Sequence, residues 1–193
     1  MERAAIATFG APFDVETVSA SDPLAARLSE IELDVGEGPG WAAHASGTAI
    51  LAPELDSSEQ PGWPLFVHAV EGLGVRAVFS FPLVIGTLRI GAVDLYSDAP
   101  GPLTAAAVAE ASMLTKAAAA TVLREAVDTR NDSTDEGPYS RREVHQATGM
   151  VIAQLGIPAD DALLLIRAHA FASGRSVRET AAAIAARTLR LEK

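Results

Sequence analysis

Near the C-terminus, arginine, histidine and glutamine recur at a spacing that suits hydrogen bonding to phosphate and to base edges. At 100° per residue, Arg142, His145, Gln146 and Gly149 share one face of a segment whose opposite face carries Val144, Ala147, Val151 and Leu155. Further on, Arg178 and Arg190 share a face with Ala182 and Ala186, and Arg175 stands just ahead of them. A guanidinium is a planar fork of donors, and small neighbours let another backbone come close. Arg142, Arg175, Arg178 and Arg190 are therefore candidate phosphate contacts, and His145 and Gln146 candidate readers of unpaired bases. A plain solvated surface is the alternative for each of them.

Most other chemistry is excluded. The chain has no Cys, which removes thiol catalysis, thiolate metal sites and disulfides together. His44 and His68 lack ligating neighbours at metal spacing, so no metal site is expected. Glu37 and Asp94 read as isolated carboxylates without an acid or base partner. Gly36-x-Gly38 lacks the Lys-Ser/Thr of a phosphate loop. With no nucleophile–base constellation, the expectation is a non-enzyme with no catalytic residue and no cofactor. Trp41, Trp63, Phe79, Phe81 and Tyr96, with His44 and His68 nearby, are candidate lining for a small-molecule pocket; ordinary core is the alternative. His169 reads as a satisfied core or interface residue.

The charge is uneven along the chain. The net formal charge is −10, yet residues 139–193 hold eight Arg or Lys against five Asp or Glu, a net of +3, which leaves −13 on residues 1–138. Such asymmetry points to a nucleic-acid module on an acidic body, the alternative being a slightly basic helical bundle. Apolar stretches are broken by Gly, Pro or charge short of the ~20 residues of a membrane span. The first six residues lack the basic start and apolar run of a secretory signal, so a cytoplasmic location without membrane contact is expected.

Several elements must position these residues. Val75–Ile85 and Leu88–Tyr96 are rich in β-branched and aromatic residues and are separated by Gly86-Thr87, a hairpin signature. Pro82 implies an edge position or a bulge. Val15–Ser19 and Thr48–Ala52 are weaker strands, and Pro23–Ile31 and Pro64–Glu71 are helices. A long helix runs from the cap Thr104 to about Arg130. The result is an antiparallel sheet flanked by helices, an α+β domain over residues 1–127. Asp128 to Pro138 has no apolar residue and reads as a linker, placed at 128–139.

Residues 140–193 read as three helices. The first runs from about Ser140 to Leu155 with Gly156 as its stop, and the second from Pro158 to Ser173-Gly174. The third opens on the capping box Ser176-Val-Arg-Glu179 and continues to about Leu191. The second is apolar nearly all round, Leu164 and Phe171 lying opposite Ala162, Leu165 and Ile166. It must be covered on both sides, by its own bundle and by a partner chain.

Two resemblances follow. Gly36-Glu-Gly-Pro39, Trp63-Pro64, Phe81-Pro82-Leu83, Gly91-Ala-Val-Asp-Leu-Tyr96 and Gly101-Pro-Leu103 resemble the GAF domains of bacterial signalling proteins over roughly residues 10–125. Where similar domains often carry Cys, this chain has Gly40. Gln146-Ala-Thr-Gly-Met150, Ala162 to Ala170, Gly174-Arg175 and Glu179-Thr-Ala-Ala-Ala-Ile184 resemble the ANTAR domain across the whole three-helix segment. The implied architecture is a GAF-like sensor followed by a small all-α ANTAR bundle. The implied function is transcription antitermination: the ANTAR part binds hairpins in nascent RNA as a homodimer, and the GAF part senses an unknown small molecule or signal. One position departs from the ANTAR pattern, Thr148 standing where a Lys is common, beside Gly149. That motivates the alternative of a ligand-sensing or interaction scaffold whose RNA module has degenerated.

Overall fold

The computed structural model describes residues 3–10, 13–55, 62–131 and 141–192. The chain divides into two compact units, Met1–Ser140 and Arg141–Lys193. In the first, five antiparallel strands stand in the order β2-β1-β5-β4-β3. They are β1 (Arg3–Thr8), β2 (Glu16–Ala20), β3 (Ile50–Ala52), β4 (Ala77–Ile85) and β5 (Leu88–Ser97). The expected hairpin is β4–β5, closed by the Ile85–Leu88 pair across Gly86-Thr87. Pro82 is accommodated in two ways: β3 pairs with β4 only as far as Ser80, and a bulge follows between Leu83 and Val84.

Strand β1 was not anticipated, although it lies between β2 and β5. Its sequence, Arg-Ala-Ala-Ile-Ala-Thr, has little β-branched content; Ala5 and Ala7 are buried on one face and Ile6 packs on the other. Where β1 crosses β5 the backbones nearly touch, since a Cβ on Gly91 would stand 1.9 Å from the Ala7 carbonyl oxygen.

Three helices cover one face: α1 (Pro23–Val35), α2 (Pro39–Ser46) and α3 (Pro64–Val70). The Asp22 carboxylate caps α1 by accepting from the N–H groups of Leu24 and Ala25, at 2.9 and 3.0 Å. Leu28, Phe66, Val67 and Val70 pack with Ala5, Val78 and Tyr96. Helix α2, also unanticipated, is short and Ala-rich; Ala43 and Trp41 pack with Ala7, Phe9 and Ala92.

The other face carries α4 (Ala105–Asn131). The Thr104 hydroxyl accepts from Ala107 N–H at 3.2 Å, the cap read from the sequence. Ala119 and Val122 meet Leu83 and Ile90, while Val108 and Ala111 meet Phe79 and Phe81. One expectation needs correction here. The helix runs through Asn131, so the first linker residues are helical; 132–140 lie outside the described residues. By length and composition alone Ala105–Ala126 is apolar enough to cross a membrane, but Glu110, Lys116, Arg124 and Glu125 interrupt it and one side of it packs on the sheet.

The second unit holds α5 (Arg142–Leu155), α6 (Ala159–Ser173) and α7 (Val177–Ala185). Val144, Ala147 and Val151 meet Ala162, Ile166 and Ala170, and Val177, Ala181 and Ile184 close the core. Gly156 and Gly174 take the left-handed conformation that ends α5 and α6, both at φ 65°. The capping box is formed: Ser176 N–H donates to Glu179 Oε2 at 2.9 Å and Glu179 N–H to Ser176 Oγ at 3.1 Å. Helix α7, however, stops at Ala185, not near Leu191. Arg187 takes φ 60°, which turns the chain so that the N–H groups of Thr188 and Leu189 both donate to the Ala183 carbonyl. A side chain in that region is strained. What compensates is Leu191, buried in the bundle core with its carbonyl accepting from the Gln154 amide.

Candidate functional site

On α5, Arg142, His145, Gln146 and Gly149 are all exposed, opposite the buried Val144, Ala147 and Val151. Thr148 is half-buried, and its hydroxyl donates at 2.7 Å to the Val144 carbonyl, back along its own helix. On α7, Arg178 is half-buried with Ala182 exposed beside it. Arg175 is exposed next to the α6 stop. The Ser176 N–H and hydroxyl, and after them the Arg175 charge, hold Glu179 below the usual carboxylate range. Arg190 is exposed but sits beyond the end of α7, so it shares no helical face with Arg178, because the turn at Arg187 intervenes. His169 is half-buried on α6. The outer side of α6 leaves Leu164 63% and Phe171 71% exposed.

In the first unit the chemistry is inside. Glu32 on α1 and Asp94 on β5 are both fully buried. The N–H of Gly40 donates to Glu32 Oε1 at 2.7 Å, and the Trp41 indole N–H to the Glu32 carbonyl at 3.2 Å. The Ser80 hydroxyl donates to Asp94 Oδ1. Asp94 Oδ2 has no hydrogen-bond partner among the described residues, and the Glu32 and Asp94 carboxyls interact with each other. Burial, and after it the Asp94 charge, hold Glu32 well above the usual carboxylate range. Burial likewise pushes Asp94 up to about 6. Two buried carboxyls that interact titrate as a pair, and the reading of Asp94 as isolated is wrong. The Gly36–Gly40 loop is shaped around the pair: a Cβ on Gly38 would fall 2.2 Å from Glu32 Oε1, and one on Gly40 would fall 3.0 Å from Asp94 Oδ2.

The five candidate pocket aromatics do not converge. Tyr96 is buried in the cluster beneath α1 and α3 with Trp63 against it, and Trp41, on α2, packs with Ala7, Phe9 and Ala92. Phe79 and Phe81 lie across the sheet beneath α4. For the two phenylalanines the bulge is the reason. Ile85 pairs with Leu88 and Val84 with Arg89, but past the bulge Leu83 pairs with Gly91, so Phe79 meets Leu95 and not Asp94. That slip of one residue moves both phenylalanines to the opposite face. An apolar groove of about 270 Å³ does open on the α4 side, lined by Ile6, Val93, Leu95, Ala111, Leu114 and Ala118. Among the described residues no group of three or more His, Asp or Glu could hold a metal ion.

A family model described as the ANTAR domain matches residues 138–184. These residues are an ANTAR domain. No curated protein matches the chain at a significant level. The rest is similar in fold to the GAF domain region of a Geobacter sulfurreducens PCA protein, with a TM-score of 0.51 and 16% identity. The match covers 63% of this chain and 81% of that one. A domain assigned to a Sinorhizobium meliloti 1021 two-component sensor histidine kinase protein aligns at TM-score 0.49 and 18% identity, covering 67% and 84%. The GAF domain of the cyanobacteriochrome TePixJ aligns at 0.48 and 14%, covering 64% and 78%. The first unit thus has a GAF-like fold, an antiparallel five-stranded sheet with helices.

All of α5 and α6 falls within the ANTAR match, as does α7 up to Ile184. Arg190 and Leu191 lie beyond it. Arg141 was not singled out from the sequence, and in the ANTAR domain it is only 3% exposed, its carbonyl accepting from Val144 and His145 N–H at the start of α5. A doubled Arg at a helix start gives no signal of which member turns inward. The acid pair was missed too, although a carboxylate inside the run Gly91-Ala-Val-Asp-Leu-Tyr96 already demanded a buried partner.

Proposed function

We propose that this chain is an RNA-binding transcription antitermination regulator, in which the ANTAR domain binds hairpins in nascent RNA as a dimer and the GAF-like domain senses a signal or ligand. ANTAR and GAF domains are regulatory modules, and no catalytic step is needed for this role. The observation that carries the reading is the exposed α5 face, where Arg142, His145 and Gln146 flank Gly149 inside a sequence that matches the ANTAR family. Gly149 has open space where a Cβ would stand, so a nucleic-acid backbone can approach closely between hydrogen-bonding groups. Filter binding of the full chain to tandem hairpins and to scrambled RNA at ~0.15 M salt tests it; the expected result is tighter binding to the hairpins. Equal affinity for both would leave charge attraction alone and overturn the specific claim.

A second reading, a scaffold with a degenerate RNA module, is favoured by Thr148, whose hydroxyl is spent on its own helix. Thr148→Lys separates the two. In a working module the substitution strengthens existing hairpin binding and steepens its salt dependence by about 0.7 to 0.9 per added phosphate contact. In a degenerate one the wild type shows no hairpin binding, and any that appears is created by the lysine.

A further inference from the structure

Among the described residues the outer side of α6 is left uncovered, and its side chains are complementary end to end. Asp160, Asp161, Leu164, Ala168, Phe171 and Ala172 are all exposed, and at 100° per residue they form one stripe about 120° wide. Acidic residues lie at its N-terminal end, and Arg175 is exposed just past the Gly174 stop at its other end. Ala168 stands midway between Leu164 and Ala172, and midway in sequence between Asp161 and Arg175. Turned end for end about Ala168, Asp161 falls on Arg175 and Leu164 on Ala172, so opposite charges, and a large and a small side chain, are superposed.

We infer that this stripe is the surface through which two copies of the chain pair, α6 against α6 in antiparallel fashion about a two-fold axis at Ala168. The small alanine lets the helices approach closely at the axis. Leu164 then lies at the height of the partner's Ala172 and beside the partner's Phe171, which covers the largest exposed apolar side chain of the ANTAR domain. Asp160 and Asp161 meet the partner's Arg175, twice per interface, and the antiparallel helix dipoles oppose one another. A two-fold contact closes after one partner, so it covers the face without building filaments. An unrelated protein would need no such end-to-end complementarity of charge and size about Ala168, which is why a second copy is the occupant. This deepens the dimeric form of the proposed regulator but does not rest on RNA contact.

Sedimentation velocity of the full chain without RNA, over a range of concentrations, tests it. The wild type is expected to be a dimer. Phe171→Ser, at a position too exposed to disturb the bundle, is expected to raise the dimer dissociation constant about tenfold or more. Asp161→Arg alone should weaken pairing several-fold by setting like charges together, and adding Arg175→Asp should restore it. A parallel pair would place position 161 beside its own copy, where the second change could not rescue the first. A monomeric wild type overturns the proposal, as does an unaffected Phe171→Ser dimer or a double swap as weak as the single one. Hairpin binding is read separately, so its absence would overturn the RNA reading and leave this one standing.

Discussion

Replacing Arg142 and Arg178 together by Glu is expected to lower affinity for tandem hairpins about a hundredfold at ~0.15 M salt. A hydrogen bond from a cation to phosphate contributes about 1.5 kcal/mol or more, so losing two is worth about 3 kcal/mol, and 1.4 kcal/mol is tenfold. The two added carboxylates repel phosphate besides. Neither side chain belongs to the bundle core, which is built from residues such as Ala147, Ile166 and Ala181, so circular dichroism should show the fold unchanged. Fluorescence anisotropy at several salt concentrations makes the comparison; the variant should also lose about 0.7 to 0.9 of salt slope for each contact removed. Undiminished affinity in a folded variant would take α5 and α7 out of the proposed interface.

The second large effect concerns the acid pair. A carboxyl that keeps its proton in the folded state while the unfolded chain gives it up makes folding less favourable as pH rises. Asp94 moves from 3.8 to about 6 on folding. Its contribution is thus fully present below 3.8, is lost as pH rises toward 6, and amounts to about 3 kcal/mol across that window. Glu32 is held protonated further, so its cost starts near 4.5 and keeps growing. Glu32→Gln retains an acceptor for Gly40 N–H and a donor for Asp94 but cannot ionise. At pH 4 it should match the wild type. Above pH 4.5 it should become more stable, by about 1.4 kcal/mol for each pH unit over which the wild-type Glu32 keeps its proton. Both tryptophans lie in the first unit, so urea unfolding followed by tryptophan fluorescence at pH 4 to 8 reports on that half alone. Parallel pH curves for the two proteins would mean that Glu32 is ionised in the fold.

Sequence signals were reliable where local chemistry decides the conformation. Gly86-Thr87 between β-branched runs, Gly156 and Gly174 as helix stops, and Ser176 with Glu179 all behave as their side chains dictate. They failed where tertiary packing decides. Alanine-rich β1 carries too little strand propensity to announce itself, and α2, at eight residues, is too short to show a helical period; both place small residues where the sheet and the helix above it meet at close quarters. The pairing of Glu32 with Asp94 joins a helix position to a strand position that no spacing rule connects. The bulge after Leu83 has no residue signature beyond Pro82 next to it, yet it decides which face Phe79 occupies. On α5 the alternation of apolar and polar residues separated inward from outward side chains, whereas the reach of α7 was overestimated because no Gly or Pro marks its end.

That end has a consequence for where the bundle is complete. The stretch recognisable as ANTAR finishes at residue 184, one position before α7 does. The three helices alone would leave an unstoppered opening, and the plug is the returning strip Leu189–Leu191, swung inward at a single strained arginine and latched by Gln154. The smallest piece of this protein that can stand by itself is therefore larger than its sequence signature.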